Sequence, residues 1–409
     1  MTDLSVGGVA AAPAAQVDPG LADPERRARA WLSRAVEPGQ RMIANLVDTH
    51  GAVELVRRIQ LGDVPMALRR ATELRSRVDR VDRDLAAAAE HEVRLLIPGD
   101  AEWPSLALHP CVLATAAGRS DLAPPVALWV RGRGRLVDLL ERSVAVIGAR
   151  AATAYGEHCA AEIAFGLAER GWTVVSGGAY GIDGAAHRGA LAAGGRTVAF
   201  LAGGLDAPYP LGHTALFRRM VETGALVSEW PVGAVPQRHR FLSRNRLIAA
   251  VSAGTVVVEA AGRSGTSKTA KDASELGRAV MAVPGPITSA MSVGTHELIS
   301  KHNAQLVTRL EDVLEAVGRI GDDLAPRAQA DTTARDRLDP LARQVLDAMP
   351  ARRAVRPEQI ALEAAVPLPE VLRMLPALEI DGFVTRRDDG WRLCRRAAAP
   401  TRGGGAMGK

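Results

Sequence analysis

From residue 143 to about 317 the chain alternates short, near-continuous apolar runs with amphipathic stretches. The runs at 144–147, 173–175, 197–201, 225–228, 255–258, 279–283 and 305–307 hold Val, Ile, Leu and Ala without strict alternation, the pattern of strands buried on both faces. Helical stretches between most of them predict right-handed βαβ units. The expected fold class is therefore α/β, with a Rossmann-like, doubly wound, mostly parallel sheet. Two earlier runs, 93–97 and 126–130, read as further strands, punctuated by Pro98-Gly99 and Pro124-Pro125. This core domain is expected over residues 93–317.

The flanks follow a different period. Ala30, Trp31, Val36, Met42, Ile43, Leu46 and Val47 recur at three- and four-residue spacing, and 53–59 and 64–74 continue the pattern between breaks at Gly51 and Gly62. A small helical N-terminal domain is expected over 25–92. Its arginines (Arg57, Arg58, Arg69, Arg70, Arg75 and Arg77) fit the solvated faces of amphipathic helices, with nucleic-acid contact as the alternative. Past a charged, apolar-poor linker at 318–337, residues 338–396 read as a winged-helix C-terminal domain. Leu341, Val345 and Leu346 mark a first helix, 357–361 a second, and Leu368, Val371, Leu372, Leu375 and Leu378 a third. A hairpin of Phe383-Val384-Thr385 and Trp391-Arg392-Leu393 follows, around Asp388-Asp389-Gly390. Such modules contact DNA or protein, but the third helix offers only Arg373 as a cation beside Glu370 and Glu379. The Ala-, Gly- and Pro-rich ends, 1–24 and 397–409, are expected to be disordered tails.

Composition narrows the function classes. At 409 residues, 47% hydrophobic and 24% charged, the chain is ordinary globular material for two or three domains. A net charge of +5 fits a polyanion partner without demanding one. Cys111, Cys159 and Cys394 are far apart, which argues against zinc or a disulfide framework and for a reduced, cytoplasmic setting. No run of about twenty apolar residues and no signal peptide are seen, so no membrane association is expected. Gly148-Ala149-Arg150 stands where a dinucleotide fingerprint would follow the first core strand. There is neither a P-loop sequence nor a Ser/His/Asp order, so no cofactor, no metal and no catalytic residue is expected. His187, His213 and His296 read as structural.

The candidate chemistry collects where a parallel sheet presents the C-terminal ends of its strands. Thr173 to Asp183 reads as strand, glycine turn (Ser176, Gly177, Gly178, Ala179), then helix start, a geometry that cradles phosphate. Arg150 closes the run before it. Arg238-His239-Arg240-Phe241-Leu242-Ser243-Arg244-Asn245-Arg246 reads as a basic loop before a helix: guanidinium forks for phosphate, Asn245 for a base or ribose edge, Phe241 for stacking. Ser264, Gly265, Thr266 and Lys268 follow the next strand. Asp183, Glu229 and Glu259 form either an acid/base set or a group of helix caps and arginine partners, the second being preferred.

These segments resemble the DNA-processing protein A (DprA/Smf) family. The matching motifs are Val146-Ile147-Gly148-Ala149-Arg150, Tyr155-Gly156, Ser176-Gly177-Gly178-Ala179-Tyr180-Gly181-Ile182-Asp183, Ala186-His187, Gly203-Gly204-Leu205-Asp206, Tyr209-Pro210, Ser228-Glu229, Phe241 with Arg244-Asn245-Arg246, Val258-Glu259-Ala260, Ser264-Gly265-Thr266 and Val283-Pro284-Gly285. The resemblance implies a protein without catalytic activity that binds single-stranded DNA in a basic pocket. It further implies a homodimer that protects incoming strands and loads the RecA recombinase in natural transformation and recombination. Carried over by motif, the DNA-binding residues are Arg150, Ser176, Gly177, Gly178, Ala179, Arg240, Phe241, Arg244, Asn245, Arg246, Ser264, Gly265, Thr266 and Lys268. Two segments depart from the family pattern: 266–272, which adds Lys268 and Lys271, and 300–304 in the late sheet region where the family dimerises. The competing readings are a nucleotide-processing hydrolase using Glu259 and Arg263, and a competence scaffold acting through the flanking domains.

Overall fold

Strand order decides where a ligand can sit. The computed structural model describes residues 23–76, 78–262, 264–318, 335, 337–351, 353–388 and 390–394. The chain divides into two compact units, Met1–Ala325 and Pro326–Lys409.

The first unit begins with α1 (Pro24–Ala35), α2 (Arg41–His50), α3 (Ala52–Leu61), α4 (Met66–Ser76) and α5 (Val81–Glu90). Asp23 caps α1 by accepting from the Glu25 amide at 3.1 Å, with Pro24 at the first helical position. Then come β1 (Val93–Leu96), α6 (Ser105–Ala116), β2 (Leu128–Arg131), α7 (Leu136–Glu141), β3 (Ser143–Ile147), α8 (Ala154–Glu169), β4 (Thr173–Ser176), α9 (Ile182–Ala192) and β5 (Thr197–Leu201). The unit continues with α10 (Thr214–Thr223), β6 (Ala225–Ser228), α11 (Arg238–Val251), β7 (Gly254–Val257), α12 (Gly265–Glu275), β8 (Ala279–Ala282), α13 (Val293–Lys301), β9 (Gln305–Leu306) and α14 (Leu310–Val317).

These nine strands form one sheet in the order β1-β2-β6-β5-β4-β3-β7-β8-β9. Every pairing from β6 to β9 is parallel, whereas β1 and β2 add antiparallel strands at one edge. The expected doubly wound, mostly parallel sheet is thus the one found. Side chains alternate between its faces, as the pleat requires. On β3, Val144 and Val146 pack with α8, α9 and α14, while Ala145 and Ile147 pack with the layer that holds Leu247, Ile248 and Leu298. On β5 and β6, Ala199, Leu201 and Leu226 meet Trp31, Leu32, Leu55 and Leu68. The N-terminal helices therefore share a core with the sheet and continue the α8–α9 layer over its antiparallel half. No helix among the described residues is long and apolar enough to cross a membrane.

The second unit carries α15 (Pro340–Asp347), α16 (Pro357–Ala364), α17 (Leu368–Ile380) and a hairpin of β10 (Val384–Arg387) and β11 (Gly390–Leu393). Val355 bridges Trp391 through two 2.8 Å backbone bonds, which adds a third short strand segment. Its core of Val345, Leu346, Ile360, Val371, Leu375, Leu378 and Trp391 is its own. This is the winged helix expected from the sequence. The linker expected at 318–337 lies almost wholly outside the described residues, as do nearly all of the two expected tails.

One buried group makes the first unit sensitive to acid. His187 on α9 is fully buried, with Nδ1 2.7 Å from the Thr197 hydroxyl. That hydroxyl donates to Val174 O, so Nδ1 is the donor to Thr197, and Nε2 has no partner. Burial, with smaller contributions from His213, Arg188 and Arg244, pushes its pKa down to about 3. Between pH 6.5 and that value the unfolded chain holds a proton that the folded chain does not. Stability therefore falls as the pH drops through this window, by about 1.4 kcal/mol per pH unit from this group alone. Urea unfolding of the wild type and His187→Leu at pH 7 and pH 5 should show a distinctly steeper loss in the wild type. Equal pH dependence would mean that His187 is protonated inside the fold.

Candidate nucleic-acid interface

β3 is the point where the winding of the sheet reverses, because β4 lies on one side of it and β7 on the other. Loops leaving β3 and β7 therefore part and open a crevice at their C-terminal ends. A cleft of about 1210 Å³ lies there. Ile147 to Arg150 follow β3, Ala179 and Asp183 follow β4, Tyr209 follows β5, and Gly262 with Ser264 to Thr269 follow β7. The remaining wall is Val235, Pro236 and one face of α11.

The stretch 238–246, expected as a loop, is the first part of α11. This changes which side chains point together. A helix turns about 100° per residue, so residues three and four apart share a face and residues two apart do not. Arg238, Phe241, Leu242, Asn245 and Ile248 accordingly line the cleft. Arg240 and Arg246 do not. Arg240 is 8% exposed, paired with Glu37 at 2.9 Å and lying 5.2 Å over the Trp230 ring. Arg246 is wholly buried, holds Glu229 through a 2.6 Å and a 2.7 Å bond, and donates to the Ala123 and Ser243 carbonyls. Arg244 reaches the cleft but is only 4% exposed. It donates to Gly177 O, Phe200 O and Asn245 Oδ1. Burial lowers its pKa to about 10, against the pull of Asp183 and with a further push from Arg150. Arg150 itself is exposed, with its guanidinium 4.9 Å over the Phe241 ring. Tyr209 meets the same ring edge to face at 5.9 Å.

The glycine turn is not an open cradle. Gly177 and Ala179 donate their amides to Asp183 Oδ2 at 3.1 and 3.3 Å, so a carboxylate of the chain occupies the anion position. Burial raises the Asp183 pKa, while Arg244 and the Ala179 and Gly177 amides oppose that rise. The Ser176 side chain donates to Val146 O, and the Gly178 carbonyl meets His213 Nδ1. Ser176, Gly177 and Gly178 thus lie beneath the cleft, and only Ala179 of this turn lines it. Glycine is required at Gly181, whose φ is +75° and where a Cβ would sit 2.4 Å from Ala149 O.

Open amides lie on α12 instead. Ser264, at its N-cap, makes no side-chain capping bond, so among the described residues nothing caps the first turn at Gly265, Thr266 and Ser267, which lines the cleft. Lys268 lines the same wall with its charge engaged, 2.8 Å from Asp272 and 3.2 Å from Asp121.

The three carboxylates hold structure together. Glu229 pairs with Arg246. Glu259 accepts from the Thr153 amide at 2.9 Å and its hydroxyl at 2.5 Å, and Thr153 in turn caps α8. Asp183 fills its own turn, so the preferred reading of caps and arginine partners describes all three. Of the site residues expected from sequence, Arg150, Ala179, Phe241, Arg244, Asn245, Ser264, Gly265, Thr266 and Lys268 meet at the cleft, and Ser176, Gly177, Gly178, Arg240 and Arg246 do not. Arg238, Leu242 and Tyr209, though they lie in segments singled out from sequence, were not carried into the expected DNA-binding set, and Val235 was not noticed; a helical period imposed on 238–248 places the first two on the cleft. Arg263 lies outside the described residues.

Comparison with known proteins identifies the chain's relatives. Residues 94–318 match the family model for DNA recombination-mediator protein A, and residues 326–390 match a DprA winged helix domain. A Mycobacterium tuberculosis protein carrying the DprA name is 47% identical over 389 residues, covering 95% of this chain and all of that one. Protein Smf of Escherichia coli is 39% identical over 309 residues, covering 74% of this chain and 78% of its own. The X-ray structure of DNA processing protein A from Streptococcus pneumoniae superposes with a TM-score of 0.59 at 29% identity, covering 73% of this chain and 99% of that one. Matched by the family model over more than half its length, the chain belongs to the DNA recombination-mediator protein A family.

Proposed function

We propose that the cleft binds single-stranded DNA and that the protein works as a recombination mediator without catalysis, protecting incoming strands and loading RecA in natural transformation. One observation carries the reading. The N-terminus of α12, the exposed cations Arg150 and Arg238, which have no ion pair among the described residues, and the Phe241 and Tyr209 rings all line one crevice. Amides and guanidinium groups suit phosphate, and rings suit bases that are free to unstack, a property of single strands. Asp183, Glu229 and Glu259 each hold partners within the fold, which supports binding over hydrolysis. The three unpaired cysteines accord with a reduced, cytoplasmic setting. A homodimer through residues 279–308 fits the exposed edge strand β9, whose Leu306 is 47% exposed.

The cleft assigns distinct roles to neighbouring residues. Each phosphate neutralised on a single strand contributes about −0.7 to the slope of log K against log salt. Reversing both Arg150 and Arg238 to Glu should flatten that slope by roughly one to two units in an anisotropy titration on oligo-dT. Phe241→Ala should cost about 1–3 kcal/mol of binding with the slope unchanged. Glu229→Gln strands a buried cation and should instead lower folding stability by about 3–5 kcal/mol, leaving the slope of the folded protein intact. An unaltered slope in the Arg150/Arg238 double reversal would remove phosphate from this cleft.

The winged helix is expected to be dispensable for strand binding. On α17, Arg373 is paired with Glu370, and Glu379 accepts from the Arg386 amide, so this helix has no surplus cation. A chain ending after Val317 retains the whole cleft and the first unit's own cores. Its affinity for oligo-dT should stay within about threefold of the full chain, because the one cation of the third helix is already paired. A larger loss with the circular-dichroism spectrum of a folded first unit would assign the strand a contact on the second unit.

A further inference from the structure

Val235 stands in two walls at once. On one side is the cleft, and on the other a second hollow of about 380 Å³, formed by α1, Leu74 and Arg75 at the end of α4, Val78 and Arg80 ahead of α5, and residues between Trp230 and Arg240. Four guanidinium groups line it: Arg34, Arg75, Arg80 and Arg240. Their counter-charges are fewer. Arg34 pairs with Asp84. Arg75 and Arg240 share the single carboxylate of Glu37, at 2.8 and 2.9 Å, and His239 approaches the same group at 3.3 Å. Arg80 is exposed and has no ion pair among the described residues. The hollow thus keeps a positive surplus that its own carboxylates do not cancel.

Its apolar parts are also uncovered. Leu74 is 81% exposed, Val78 49% and Val235 70%, an unusual set of side chains to leave in water beside cations. Apolar surfaces interleaved with guanidinium groups that outnumber their carboxylates suit a backbone that carries phosphates on one side and unstacked bases on the other. The hollow also lies where a strand leaving the cleft past Val235 would arrive.

We propose that this hollow is a second subsite for single-stranded nucleic acid, which takes the phosphates that follow those in the cleft. The N-terminal helices then belong to the binding track as well as to the core. The inference rests on the cleft being a single-strand site, and the experiment separates the two. Anisotropy titrations use oligo-dT of about five and about twenty nucleotides, spanning the footprint of one binding module. The variants are Arg75→Glu with Arg80→Glu, Leu74→Ala, and Arg150→Glu as the cleft control.

The charge-reversed pair should bind the short oligomer as the wild type does. On the long oligomer it should lose roughly tenfold in affinity and about 0.7–1.4 units of salt slope, the loss of one or two phosphate contacts. Leu74→Ala should weaken only the long oligomer, with the slope kept. Arg150→Glu should weaken both lengths, and failure of that control would count against the cleft itself. Wild-type affinity of the Arg75/Arg80 variant for the long oligomer would overturn the subsite. So would competition by poly-Glu that is lost in this variant while long-oligomer binding persists, since it would assign the hollow to an acidic peptide.

Discussion

A guanidinium ion taken out of water needs partners inside the protein, and of the three buried arginines of α11 two, Arg244 and Arg246, lie deepest. Arg246 is satisfied by Glu229 and by the Ala123 and Ser243 carbonyls, and Arg244 by the Gly177 and Phe200 carbonyls and the Asn245 side chain. Those partners sit after β4, at β5, just past β6 and ahead of β2, so one helix is tied to four segments at the same sheet edge. Buried ion pairs contribute little net stability because desolvation offsets their attraction, but each allows only one geometry. The rotation of α11 is thereby fixed, and with it the face that presents Arg238, Phe241, Leu242 and Asn245.

That constraint also explains why the cleft has fewer working charges than its composition suggests. Arg240, Arg244, Arg246 and Lys268 are all engaged within the fold. Asp183 occupies the amides of the glycine turn that would otherwise face an anion. Among the described residues, what remains for a ligand is the exposed pair Arg150 and Arg238 and the first turn of α12. Arg150 already rests on the Phe241 ring, so a base arriving there meets a face whose other partner is a cation.

The strands were legible because runs such as Val144 to Ile147 and Thr197 to Leu201 are long enough in β-branched and apolar residues to exclude other readings. The winged helix was legible because its apolar positions recur at helical spacing and then switch to a hairpin around Gly390. α11 was not. Its buried positions include three arginines, so no apolar stripe marks its first half, and a row of cations imitates a loop. α6 was missed for the opposite reason: its residues are apolar nearly all round, and Pro110 interrupts it. The antiparallel sense of β2 depends on a partner more than ninety residues away in β6, which no local pattern records. The resemblance to a family located the right segments, but it did not tell cations that face a ligand from cations that hold the scaffold.

The strand order has a consequence for how the chain is made. β3 lies between β4, which follows it closely, and β7, which begins only at Gly254. As the polypeptide emerges from its N-terminal end, β3 to β6 can associate while the other side of β3 keeps a row of bare amides and carbonyls from Val144 to Ile147. Such an open, apolar edge invites pairing with a neighbouring chain. Insertion of β7 closes that edge and, in the same movement, brings the Gly262 to Thr269 wall against the Arg150 wall. The crevice is therefore absent from any shorter nascent chain, and its appearance coincides with the end of the period in which the half-built sheet is most exposed to aggregation.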